Sequence, residues 1–139
     1  MRRVKRLKLE TLPMSKKYIK YNFENLEIYN LANDLVLEIY KITSHFPREE
    51  LFGLISQIKR AVISIVLNIV EGSGRSSKKD FSRFISQAIG SLLEVKAALI
   101  LAVKLNYISN ETSKEAFLLI DKLFFKLLAF KKALKTHEA

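Results

Sequence analysis

From residue 23 onward, apolar residues recur at three- and four-residue intervals, the spacing that places them on one face of an α-helix. In residues 26–43, Ile28, Leu31, Ala32, Leu35, Val36, Ile39 and Ile42 share a face, with Asn30, Asn33, Asp34 and Lys41 opposite. Phe46-Pro47 ends this helix or opens the next, because proline disfavours helix in the residue before it. A second helix is predicted over about 50–71, with Leu51, Leu54, Ile55, Ile58, Val62, Ile65 and Ile69 as its core face. Gly72-Ser73-Gly74 should stop it, since glycine accepts the positive φ of a helix C-cap. Ser77 caps a third helix, with Asp80 three residues later in a capping-box pattern. That helix reaches Lys104 or Asn106 and turns Phe81, Phe84, Ile85, Ala88, Leu92, Val95 and Leu99 inward. Ser109 or Asn110 caps a fourth, which ends near Lys135. The three connections are short, so neighbouring helices should run antiparallel. The expected fold is all-α: an antiparallel up-and-down four-helix bundle over residues 23–135, after a basic N-terminal arm (1–22) and before a frayed tail (136–139).

The pattern is too apolar for a bundle that stands alone. Opposite its core face the second helix carries only a narrow stripe, Gly53, Gln57, Arg60, Ser64, Asn68 and Glu71, with Ile63 and Leu67 beside it. A helix that is apolar nearly all round is usually buried on more than one side. The third helix repeats this with Arg83, Gln87, Gly90, Ser91 and Glu94, then Ala97, Ala98 and Leu101. Gly90 and Ser91 are small enough to let another backbone approach. The fourth helix is broadly apolar from Phe117 to Phe130. Large apolar surfaces mark interfaces, so self-association is expected. Gln57, Arg60, Ser64, Asn68, Glu71, Gly90, Ser91 and Glu94 are then interface residues or a buried polar network. The other reading makes Arg60, Glu71 and Glu94 a ligand site. The first is preferred because buried charges are normally paired.

Charge adds a second theme. The chain of 139 residues has a formal net charge of +10, a field that draws polyanions. Arg2, Arg3, Lys5, Arg6, Lys8, Lys16, Lys17 and Lys20 face Glu10 alone in residues 1–22, which therefore carry +7. Met14 offers a second translation start, which would leave residues 1–13 outside the native protein. Arg75, Lys78, Lys79 and Arg83 surround the start of the third helix, where free N–H groups and the dipole favour anions. A solvated loop explains them equally well. Lys126, Lys131, Lys132 and Lys135 form a further cluster on the last helix; a solvated helix end is the commoner reason for such a run.

Catalytic and metal chemistry find little footing. There is no cysteine, and the two histidines, His45 and His137, fall at a helix end and in the tail; neither supports zinc-ligand spacing. Gly72-Ser73-Gly74-Arg75 lacks the Lys-Ser/Thr and preceding strand of a phosphate loop. No cofactor is expected. The scarcity of Gly (4) and Pro (2) suits long helices rather than strands and turns. The longest apolar candidates, residues 61–70, interrupted by Ser64 and Asn68, and residues 97–103, fall short of a bilayer span, so a cytoplasmic protein with no membrane partner is expected.

Three segments then become familiar together: FENLEIYNLANDLVLEIYKIT, FPREELFGLISQIKRAVISIVLNIVEGSGR and KDFSRFISQAIGSLLEVKAALILAVKLNYIS. They closely resemble the four-helix-bundle family of 23S rRNA intervening-sequence proteins, from about residue 21 to 135. The resemblance implies antiparallel bundles assembled as homopentamers. It includes the accessory protein of diversity-generating retroelements, which binds nucleic acid and a reverse transcriptase. Most members have no assigned function. The family often has proline where this chain has Val66, which keeps its backbone N–H and predicts a straighter helix. The functional expectation is a non-catalytic homo-oligomer that contacts RNA or DNA backbone, or a nucleic-acid enzyme, through Arg75, Lys78, Lys79, Arg83, Lys131 and Lys132. The alternative is a structural or protein-interaction module with no nucleic-acid role.

Overall fold

A computed structural model describes Ile19 and residues 21–136. The expected arm, apart from its last residues, and most of the expected tail, His137 included, lie outside the described residues. A 3-10 turn, Asn22–Asn25, leads into α1 (Glu27–Thr43); a second 3-10 turn, Arg48–Glu50, precedes α2 (Leu54–Ser73); α3 (Lys78–Lys104) and α4 (Asn110–Thr136) complete the fold. α2 packs on α3, α3 on α4, and α1 closes the ring against α2 and α4. This is the antiparallel four-helix bundle that the apolar periodicity predicts.

The inward faces interlock as one core. Leu35, Ile39, Ile58, Ile65, Ile69, Ile85, Leu92, Leu99, Leu123 and Leu127 are wholly withdrawn from solvent. Each such side chain contributes about 1.5–3 kcal/mol by leaving water. Val36 and Phe81, placed on core faces by the sequence, are half-buried at the margin.

The helix ends depart from expectation in three places. α2 begins at Leu54, four residues later than predicted, because residues 48–50 form a 3-10 turn and Leu51 points outward, 51% exposed. At its other end α2 runs through Gly72 to Ser73, and Gly74 has φ −87°, so no glycine uses positive φ here. What Gly72 provides is closeness: a Cβ there would lie 2.7 Å from Phe84 Cβ and 2.8 Å from Phe81 Cδ1. The left-handed residue is instead Asn106, φ 61°, after α3. The N–H of Tyr107 donates to the Ala102 carbonyl at 2.9 Å and that of Asn106 to Val103 at 3.0 Å, the two bonds of a Schellman ending. The caps of α3 and α4 follow the sequence. Ser77 Oγ accepts from the Asp80 N–H and Ser109 Oγ from the Thr112 N–H, both at 3.0 Å.

α3 is also long and apolar enough to cross a membrane by length and composition, a property that a search for uninterrupted apolar runs misses. In this fold its apolar residues Phe84, Ile85, Ala88, Leu92, Val95, Leu99 and Ala102 fill the bundle core between α2 and α4, while Leu93, Ile100 and Leu101 stay exposed.

Candidate nucleic-acid interface

The antiparallel order gives the bundle two chemically different ends. At one end, Glu27 in the first turn of α1 pairs with Lys126 of α4 at 2.9 Å. One turn further along α4, the Phe130 ring meets Phe81 at the start of α3, centroids 5.2 Å apart. This end therefore gathers the start of α1, the α2–α3 connection and the last turns of α4. Hydrogen bonding to Lys126, then its charge, holds the Glu27 carboxyl below the usual carboxylate range. At the other end, Tyr107 after α3 donates its hydroxyl to Glu50 at 2.9 Å and its ring lies 6.0 Å from that of Phe46.

At the first end, Lys79 and Arg83 of α3 and Lys131 and Lys135 of α4 line one groove of about 510 Å³, with Ser77, Ser82 and Ser86 supplying hydroxyls. Asp80 is the one carboxylate in its lining. Three of the sequence-selected cations, Lys79, Arg83 and Lys131, are thus brought together. Lys135, noticed in the sequence only as part of a helix-end cluster, joins them. Lys132 is exposed on the same turn of α4 but does not line the groove.

Arg75 is placed differently. Its guanidinium donates to Glu71 at 2.7 Å and lies 3.7 Å from Asp80. Arg83 also binds Asp80, through two nitrogens at 2.8 and 3.0 Å. Both guanidiniums lie over the Phe84 ring, at 4.7 and 4.5 Å from its centroid. They are oriented by these contacts and part of their charge is compensated locally. Lys78 is likewise engaged within the chain. The i,i+4 spacing of Glu71 and Arg75 and the i,i+3 spacing of Asp80 and Arg83 were signals for this pairing.

The polar stripe divides. Ser64 of α2 and Ser91 of α3 share a hydrogen bond of 2.9 Å, and Asn68 donates to the Ser64 carbonyl at 2.9 Å and hydroxyl at 3.0 Å. This small network crosses the α2–α3 contact inside one chain. The side chains of Gln57, Arg60 and Glu94 are exposed and form no hydrogen bond or ion pair among the described residues, and Glu71 turns to Arg75. Gly90 faces open space, with nothing within 4 Å of where a Cβ would stand. Arg60, Ile63, Ser64, Leu67, Asn68 and Glu71 border an open depression of about 350 Å³. Among the described residues no three His, Asp or Glu side chains gather as a metal ion would require.

A long helical hairpin and two shorter helices make this a small four-helix bundle. The chain belongs to the 23S rRNA-intervening sequence protein family, whose model matches residues 24–129. It is similar in structure to a protein of unknown function from the S23 ribosomal protein family of Bacteroides thetaiotaomicron. That likeness has a TM-score of 0.68 at 22% identity and covers 76% of this chain and 98% of the other. No curated protein matches it. The family is one of unknown function, and no catalytic family is indicated.

Proposed function

We propose that this protein is a non-catalytic homo-oligomer that holds nucleic acid by its backbone at the basic end of the bundle. The observation that carries the reading is convergence. Lys79 and Arg83 are about fifty residues from Lys131 and Lys135 in sequence, yet the four share one groove. The chain enters through the turn Asn22–Asn25, which packs on α1 and α2. Residues 1–22 precede it in sequence and carry +7. Backbone phosphates are the ligand that clustered lysines serve best, as point charges without base readout.

Self-association rests on what the outer faces leave in water. Leu67 on α2 is 59% exposed, and Leu93, Ile100 and Leu101 on α3 are exposed as well. Burying the half that each leaves exposed gains about 1 kcal/mol per side chain. Gln57, Arg60 and Glu94 are available to pair across the contact, and the homopentamer that the family resemblance implies is the assembly proposed.

Light scattering of freshly purified protein, read together with its 260/280 absorbance ratio, tests both parts. The expected result is a mass several times that of the protomer, with nucleic acid carried along at low salt. Arg60→Ala should shift the mass toward the protomer. A monomer with a protein-like ratio at every salt concentration would overturn the proposal.

A further inference from the structure

The end of the bundle remote from the basic groove has a second recess, and its chemistry is different. Between the C-terminal turn of α1 and the N-terminal turn of α2 lies a groove of about 370 Å³. Its apolar base is Phe46 and Ile55, both buried, and Tyr40 and Leu51 form exposed apolar walls. Arg48 and Lys59 line it too, and no carboxylate does. The Lys59 ammonium sits 4.5 Å over the Tyr40 ring. The Arg48 side chain forms no hydrogen bond or ion pair among the described residues. Glu50 is nearby, but its carboxylate is taken up by the Tyr107 hydroxyl and the Leu54 N–H. Next to Leu51, Phe52 is 93% exposed, more than any other large apolar side chain described.

We infer that this groove docks an acidic peptide segment carrying a bulky apolar side chain. The apolar base takes the anchor residue, and the peptide's carboxylates meet Arg48 and Lys59, two cations that the fold leaves unmatched by acid. An apolar pocket rimmed by charge of one sign is the form in which a protein surface selects a short partner of opposite sign. Two cations and an apolar floor suit a peptide better than a polynucleotide, which needs a longer track of phosphate contacts. Phe52 extends the apolar contact beyond the rim. This inference uses none of the residues of the nucleic-acid reading, and it stands or falls separately.

The test is fluorescence anisotropy in about 0.15 M NaCl, where distant charges are screened. The probe is a fluorescein-labelled octapeptide with carboxylates flanking one leucine and one phenylalanine. Two control peptides replace either the acids by their amides or the two apolar residues by serine. The acidic apolar peptide should bind, and both controls should bind on the order of tenfold more weakly. The pairs Arg48→Glu with Lys59→Glu, and Leu51→Ser with Phe52→Ser, change exposed or rim residues and should weaken binding similarly. Lys131→Ala with Lys135→Ala should leave it unchanged. Thermal melts establish that each variant folds. Equal binding of the serine-substituted peptide, competition by a single-stranded oligonucleotide as strong as by unlabelled peptide, or insensitivity to the Arg48 and Lys59 changes would overturn the inference. So would a loss of oligomer mass on Leu51→Ser with Phe52→Ser without peptide binding, since the occupant would then be a second copy.

Discussion

Gly72 shows how one position can be correctly singled out for the wrong reason. Helix propensity alone favours alanine there by about 1 kcal/mol, and φ offers no objection. The neighbours do, because Phe84 Cβ is fixed to its backbone 2.7 Å from the added carbon. Overpacking of this kind costs about 1–3 kcal/mol, which exceeds the propensity gain. Gly72→Ala should therefore lower the urea midpoint, and it should do so by separating α2 from α3. At the other end of the bundle, the hydrogen bond to Glu50, then burial, raises Tyr107 above the ordinary tyrosine pKa. A raised folded pKa means that the stabilisation is fully present below the unfolded value, about 10, and is lost as pH rises through the higher folded one. Melting curves across that alkaline window should fall more steeply for the wild type than for Tyr107→Phe, which lacks the titrating hydroxyl. Parallel curves would show that the bond contributes nothing.

At the scale of elements, the periodicity of residues 26–43 was sufficient to fix α1: Ile28, Leu31, Ala32, Leu35, Ile39 and Ile42 are all buried. The same rule overshot at α2, where Leu51 fits the spacing but sits before the helix. Three-residue spacing persists through a 3-10 turn, so apolar pattern does not mark where α-geometry starts. Part of the site was legible too. The cations around the start of α3 stand out as a local run, and their pairing with Glu71 and Asp80 could be read from helical spacing. That Lys131 and Lys135 complete the groove could not, because it depends on how α3 and α4 align along 27 residues each. Ser91 was legible as a small interface residue, but its partner proved to be Ser64 of the same chain. Gly90 is then the sharper probe of the outer face of α3. With open space around it, Gly90→Ala should stabilise the dissociated chain by about 0.5–1 kcal/mol. Gly90→Leu should keep the helical circular dichroism signal yet move the light-scattering mass toward the protomer. Retention of full mass would remove this face from the assembly.

The whole molecule is best described by its polarity. One end collects Lys79, Arg83, Lys131 and Lys135; the other has an apolar recess with two unmatched cations. A net charge of +10 by itself would favour any polyanion loosely, and it does not distinguish a diffuse field from a built groove. Salt dependence does. If lysines in the groove touch phosphates, each contact releases counterions and adds close to one unit to the slope of log K against log salt. Lys131→Ala with Lys135→Ala should then lower that slope by about 2 per protomer, with little change in preference among sequences. A diffuse field would instead lose affinity in proportion to total charge, so removing two exposed lysines elsewhere, Lys104 and Lys114, would do the same. The comparison needs only a labelled RNA duplex and a salt titration. Equal slopes for the two double variants would assign the binding to net charge and leave the groove without a role.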